Sequence, residues 1–153
     1  MADNLVRKKL FAVIYGASLL WSVGLSNAPA AHADSRCSNT TIAGSYGIQT
    51  TGTILAGGPG QPGLFASNGL FNFNGNGNFS TKQTISFNGT IAPFEGAGTY
   101  EVEEDCTLTA TITEESTGTQ VSVNGVIVKR GEEILIIQTD PNTVITGTLK
   151  KVE

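Results

Sequence analysis

The stretch FNFNGNGNFS (Phe71–Ser80) indicates a tight connection between two β-strands. Phe71 and Phe73 alternate with asparagines, and a period of two is typical of a strand with one apolar face. Asn and Gly follow, and these residues accept the positive φ angles that hairpin turns impose. The stretch contains no carboxylate, whereas calcium loops depend on acidic ligands. We therefore predict a hairpin and no calcium site; sugar binding by the asparagines is an alternative that nothing in the stretch requires.

The same alternation recurs along the chain, most clearly in TLTATIT (Thr107–Thr113). Leu108, Ala110 and Ile112 face one way and the threonines face the other, which is typical of a half-buried antiparallel strand. No segment shows the 3.6-residue period of a helix. The sequence therefore predicts an all-β protein.

Eight such strands can be read between short turn signals. The side chains predicted to share inward faces are Tyr46, Ile48 and Ile54 in the first strand, Phe65, Phe71 and Phe73 in the second, Ile85, Phe87 and Ile91 in the third, and Tyr100 and Val102 in the fourth. A meander of eight strands has two open edges, and joining the edges removes both. The first and last strands each carry Thr-Gly-Thr (51–53 and 146–148), so we predict that they pair and close an antiparallel up-and-down barrel. A flattened β-sandwich is the alternative.

The N-terminus has the three parts of a secretory signal peptide. Arg7, Lys8 and Lys9 precede an uncharged apolar run, Leu10–Leu25, and Ala31-His32-Ala33 provides small residues at a cleavage site. The run is shorter than the roughly 20 residues that a membrane-spanning helix needs. We predict a signal peptide over 1–33, one domain over 34–153, no stable membrane insertion after cleavage, and a secreted or periplasmic protein.

Cleavage removes the chain's only histidine, His32, and leaves six Lys and Arg against twelve Asp and Glu, a net charge of −6. A chain without histidine has no Ser-His-Asp or Cys-His pair and no imidazole metal ligand. Its acidity argues against nucleic acid as a partner. Glu101 and Glu103 alternate with Val102 on a solvent face, where little raises a carboxyl pKa for acid catalysis. We therefore expect no catalytic residues, no metal site and no cofactor.

Two cysteines remain, Cys37 and Cys106. An even number of cysteines in an exported chain predicts a disulfide. This disulfide would attach the N-terminal tail to the hairpin that begins near Cys106. A pair of reactive or metal-binding thiols is the less favoured reading.

The segments CSNTTIAGSYGI, GLFNFNGNGNFS, GTYEVEEDCTLTATI and EILIIQTDPNTVITGTLKK resemble a group of small exported bacterial proteins with no established activity. In outline these proteins are similar to calycins, the eight-stranded barrels of the lipocalin and avidin type. Gly44-Ser45-Tyr46 takes the place of the Gly-x-Trp of lipocalins, with Tyr46 in place of the tryptophan. Lys150 and Lys151 come where lipocalins carry a late arginine.

An eight-stranded barrel is either filled by side chains or holds one small ligand. The aromatic side chains predicted to line its interior are Tyr46, Phe65, Phe71, Phe73, Phe87 and Tyr100, and polar candidates at its mouth are Gln49, Lys82, Gln83 and Gln138. The favoured hypothesis is non-catalytic binding of a small apolar or amphipathic ligand. The alternative is a structural or cell-surface interaction protein whose barrel is packed and holds no ligand.

Overall fold

A closed barrel of eight antiparallel strands makes up most of the residues that the computed structural model describes, Arg36 to Glu153. The predicted signal peptide, residues 1–33, lies outside these residues. The strands are β1 (Gly44–Ile54), β2 (Gly63–Phe73), β3 (Asn78–Phe87), β4 (Thr90–Val102), β5 (Thr107–Glu114), β6 (Gln120–Val128), β7 (Glu133–Gln138) and β8 (Thr143–Lys151). Short 3₁₀ helices precede β1 (η1, Asn39–Ile42) and β7 (η2, Lys129–Gly131).

Each strand pairs with the next along the chain, and β8 pairs with β1. Thr51 of β1 lies opposite Thr146 of β8, so the two Thr-Gly-Thr segments meet as predicted. Closure satisfies the backbone groups of both edge strands, which would otherwise be free to pair with other chains. The predicted up-and-down barrel is confirmed, and the alternative of a β-sandwich is wrong.

Alternation decides which side chains fill the barrel. In β5, Leu108 and Ile112 are buried, whereas Thr107 and Thr109, on the opposite face of the strand, are exposed. The period of two in the sequence therefore translates directly into an apolar inner face and a polar outer face.

The connection between β2 and β3 is the tight turn that the sequence FNFNGNGNFS (Phe71–Ser80) predicts. Gly75 and Gly77 have φ angles of 78° and 89°, which cost glycine little and other residues more. The Asn74 Oδ1 accepts hydrogen bonds from the backbone N–H groups of Asn76 at 2.7 Å and Asn78 at 3.1 Å. The asparagine side chain thus stabilises the turn itself.

The third predicted strand is interrupted, and the placement of Ile91 on its inner face is wrong. Asn88 and Gly89, with φ angles of 49° and 85°, form a two-residue turn between β3 and β4. The Asn88 side chain accepts a hydrogen bond from the Leu64 N–H at 2.9 Å, which fixes the turn against β2. Ile91 lies beyond it in β4 and is 65% exposed. The Asn-Gly pair is a common hairpin signal, which the continuous alternation of apolar residues obscured.

We predict that Gly77→Val lowers the melting temperature more than Gly89→Val. Both substitutions place a β-branched residue at positive φ, at a cost of about 1–2 kcal/mol. A Cβ at Gly77 would also lie 3.2 Å from the Tyr100 carbonyl oxygen and 3.3 Å from the Asn39 Nδ2, whereas a Cβ at Gly89 meets no atom within 4 Å. Thermal unfolding followed by circular dichroism measures the difference. Equal melting temperatures for the two variants would contradict the role assigned to the β2–β3 turn.

Candidate functional site

One end of the barrel is closed by five aromatic side chains, called here the aromatic floor: Tyr46, Phe71, Phe73, Phe79 and Tyr100. Phe73 is central, because its ring meets Tyr46 and Tyr100 edge to face, with centroids 5.5 and 5.1 Å apart. The Phe71 and Phe79 rings stack at 5.3 Å on the side that faces the interior. Edge-to-face and offset geometries are the favourable ones for aromatic pairs.

The hydroxyl groups of the floor tie it to the segments beneath. The Tyr100 hydroxyl donates to the Asn39 carbonyl oxygen in η1 at 3.1 Å and accepts from the Gly75 N–H at 3.0 Å. The Tyr46 hydroxyl donates to the carbonyl oxygen of Gly131 in η2. Two buried hydroxyls are thereby satisfied, and both 3₁₀ helices are held against the barrel.

The predicted disulfide joins Cys37 and Cys106 at the same end, with Cα atoms 5.0 Å apart. The Cys37 N–H also donates to the Glu104 carbonyl oxygen at 3.3 Å. The bond therefore attaches the segment before η1 to the β4–β5 turn, as the sequence indicates.

Above the floor lies a cavity of about 430 Å³ inside the barrel. Its wall is mainly apolar, with Phe65, Phe87 and Phe94 and isoleucines from several strands. At the other end from the floor, the β1–β2 connection borders the cavity through Pro59, Gly60 and Gln61. The β5–β6 turn contributes Thr117 and Thr119 there.

Three polar side chains form a hydrogen-bonded strip across β1, β2 and β3 on the cavity wall. The Thr50 Oγ1 lies 2.6 Å from the Ser67 Oγ, and the Ser67 Oγ donates to the Gln83 Oε1 at 2.8 Å. Thr50 and Ser67 are each only 7% exposed. Neither residue was predicted to face the interior, although Thr50 shares the alternation of Tyr46 and Ser67 shares that of Phe71.

Glu114 is the only ionisable side chain among the described residues that line the cavity. Its carboxylate accepts hydrogen bonds from the Ser116 Oγ at 2.9 Å and the Thr117 Oγ1 at 2.6 Å, within the β5–β6 turn. The carboxylate is therefore held at the open end of the barrel by its own turn.

All six predicted aromatic residues point inward, but they lie at two levels. Phe65 and Phe87 belong to the cavity wall, and Phe71 and Phe73 border the cavity from the floor. Tyr46 and Tyr100 are buried in the floor next to Phe73 and do not reach the cavity wall.

Of the four polar residues predicted at the mouth, two face the interior of the barrel and two face outward. Gln83 and Gln138 line the cavity, whereas Gln49 and Lys82 lie on the outer face and are exposed. The placement of Gln49 and Lys82 at the mouth is wrong, because each is one residue away from an inward position and successive side chains point to opposite faces.

The acidic residues Glu101 and Glu103 are exposed, as predicted. Within Arg36–Glu153, no three His, Cys, Asp or Glu side chains lie close enough together to hold a metal ion. The same residues include no helix that is long and apolar enough to cross a membrane.

No protein-family model matches the sequence, and no curated protein matches it. Two redesigned β-barrels of known structure are similar to it. One, b11L5F_LGL, has a TM-score of 0.55 and 21% identity and covers 75% of this chain and 95% of its own. The other, mFAP1 bound to DFHBI, has a TM-score of 0.52 and 19% identity and covers 74% and 97%. At these identities the likeness shows the barrel fold alone, and the resemblance to small exported bacterial proteins stays a prediction.

We predict that the free energy of unfolding falls as the pH rises from about 10 to about 12. Burial raises the pKa of Tyr46 to about 12, and the nearby Glu132 charge and Tyr100 add to the shift. In the unfolded chain a tyrosine ionises near pH 10. Between the two values the unfolded state has lost a proton that the folded state keeps, so the stability present below pH 10 is progressively lost.

Urea denaturation at about pH 9 and pH 11 measures this effect. Tyr46→Phe removes the ionisable group and should show a smaller decrease between the two pH values, although its stability at pH 9 is lower because the bond to Gly131 is gone. An equal decrease in both proteins would show that Tyr46 is not responsible.

Proposed function

We propose that this chain is an exported, non-catalytic barrel that binds a small apolar or amphipathic molecule inside the barrel. The observation that carries the proposal is the cavity of about 430 Å³. Ligand pockets are typically roughly 300–1,000 Å³ in volume, mainly apolar, and equipped with a few polar groups that orient the ligand. The cavity described here has all three properties.

The shape of the interior also suits a ligand. The aromatic floor closes one end through Phe73 and its neighbours, while the other end is bordered by connecting segments around Gly60 and Thr117. A molecule would therefore enter from one side only and would rest on aromatic rings. Burying its apolar surface there contributes about 25 cal/mol for each Å² removed from water.

The comparisons support this proposal at the level of the fold. The redesigned barrel mFAP1, which is similar to this chain in fold, is bound to DFHBI. A barrel of this architecture can therefore accommodate a ligand, although fold similarity does not transfer ligand identity.

Export and the lack of catalysis are parts of the same proposal. The signal-peptide pattern of residues 1–33 and the Cys37–Cys106 disulfide both favour a secreted or periplasmic location, since disulfides persist in oxidising compartments. Glu114 is the single ionisable group on the described cavity wall, and it is held by Ser116 and Thr117. One carboxylate without an acid–base partner is a poor basis for catalysis.

A second candidate, an interaction protein, is favoured by one feature of the outer surface. Val126, Leu135 and Ile137 lie on the outer face of β6 and β7 and are 47%, 46% and 49% exposed. Val126 lies directly opposite Leu135. Contiguous exposed apolar side chains often mark contact surfaces. The cavity, however, does not fit the packed barrel that this alternative assumed.

Fluorescence of N-phenyl-1-naphthylamine, a neutral apolar probe, tests the first candidate. We predict that the purified protein binds the probe and that Ala110→Trp weakens binding by roughly tenfold or more, about 1.4 kcal/mol. Ala110 lines the cavity, so the indole ring would occupy ligand space. Thr109→Trp is the matched control, because Thr109 is the exposed neighbour on the outer face of β5.

The two variants and the unchanged protein distinguish probe binding inside the cavity from binding elsewhere and from no binding. If Thr109→Trp and Ala110→Trp bind the probe as tightly as the unchanged protein, the probe lies outside the barrel and the cavity is not the site. If the unchanged protein does not bind the probe at all, the interaction protein becomes the favoured function.

A further inference from the structure

The polar strip on the cavity wall has a fixed direction of hydrogen bonding. The Ser67 hydroxyl has one hydrogen, and it is donated to the Gln83 Oε1. The Thr50 hydroxyl must then be the donor in its 2.6 Å contact with Ser67. The chain of bonds therefore runs from Thr50 through Ser67 and ends at the carbonyl oxygen of the Gln83 amide.

This chain of hydrogen bonds uses the oxygen of the Gln83 amide and does not use its nitrogen, Nε2. The Nε2 of Gln83 carries two hydrogens, and it donates to no group in the described part of the chain. Among the described residues, no fully buried side-chain nitrogen or oxygen lacks a partner. The Nε2 is therefore open to the cavity that Gln83 lines.

The Gln83 side chain is held in place as well as open. A Cβ at Gly69, opposite Gln83 in β2, would lie only 2.8 Å from the Gln83 Cγ. The stem of Gln83 thus occupies space that a side chain at position 69 would need. The hydrogen bond from Ser67 fixes the orientation of the amide, so the donor is positioned before a ligand arrives.

The charges around the cavity limit the class of ligand. Its described lining contains no Lys, Arg or His, and its one ionisable residue is Glu114. An anionic group deep in this cavity would lose its hydration without gaining a counter-charge, which is strongly unfavourable. An anionic group at the mouth would meet the Glu114 carboxylate.

We infer that the cavity selects a neutral, mainly apolar molecule that carries a hydrogen-bond acceptor oxygen, such as a ketone or an ester, and that Gln83 donates to this oxygen. The inference rests on the proposed function and names its ligand class. The Gln83 Nε2 then gains the partner that the described residues do not provide, and the remaining ligand surface packs on the phenylalanines.

Three matched probes test this inference by isothermal titration calorimetry. They are 2-acetylnaphthalene, which carries a neutral acceptor, 2-ethylnaphthalene, which lacks it, and 2-naphthoate, which is anionic. We expect 2-acetylnaphthalene to bind about three- to tenfold more tightly than 2-ethylnaphthalene, the effect of one net hydrogen bond. We expect 2-naphthoate to bind most weakly.

Gln83→Met keeps the length of the side chain and removes the amide. We expect this variant to bind both neutral probes with equal affinity, because the loss is confined to the acceptor-bearing probe. Gln49→Met is the matched control on the exposed outer face of β1 and should keep the preference for 2-acetylnaphthalene. Circular dichroism of both variants shows that the barrel remains folded.

Failure of the inference and failure of the proposed function give different results. If both neutral probes bind equally, or if Gln83→Met keeps the preference for the ketone, the assigned donor is wrong but the cavity still binds apolar molecules. If 2-naphthoate binds most tightly, the neutral ligand class is wrong. If none of the three probes binds, both the inference and the proposed function are overturned.

Discussion

The packing of Phe73 between Tyr46 and Tyr100 closes one end of the barrel. These rings come from three different strands, so their contact holds β1, β2 and β4 together at one end of the barrel. The two tyrosine hydroxyls then bind η1, the β2–β3 turn and η2. Because this end is closed, the space above the rings is a cavity whose other end is bordered by the β1–β2 connection and the β5–β6 turn.

The closed end of the barrel and the cavity differ in the charge of their side chains. Many of the charged side chains lie at or below the closed end, including the ion pairs Arg36–Glu104 and Lys129–Glu133. The cavity contains phenylalanines, isoleucines and the strip of Thr50, Ser67 and Gln83. A ligand in the cavity would therefore meet little charge and the oriented amide of Gln83, and this combination underlies the proposed preference for a neutral acceptor.

Much of the fold could be predicted from the sequence because a strand has a period of two. The alternation of apolar and polar residues is enough to identify the inward side chains of β5. The repeated Thr-Gly-Thr correctly predicts that β1 pairs with β8. The same alternation could have located Thr50 and Ser67, since each lies on the inner face of its strand. The Asn88-Gly89 turn was missed because apolar residues on both sides keep the same spacing across it.

The division of the six aromatic residues into floor and wall could not be predicted. Tyr46 and Phe65 both point inward, but their height in the barrel depends on how far neighbouring strands are staggered, which no single strand encodes. The space inside the barrel depends in addition on glycines that leave room for neighbouring side chains. A Cβ at Gly98, for example, would lie 2.6 Å from the Phe79 ring. Such contacts join residues that are distant in sequence.

The proposed binding site for a small apolar molecule is the interior of the barrel and not its outer face. Nuclear Overhauser effects between bound 2-acetylnaphthalene and isoleucine and leucine methyl groups locate the bound molecule. Binding inside the barrel predicts contacts to Ile48, Ile112 and Ile136, which line the cavity. Contacts confined to Leu135 and Ile137 on the outer face, or no contacts with any methyl group, would contradict it.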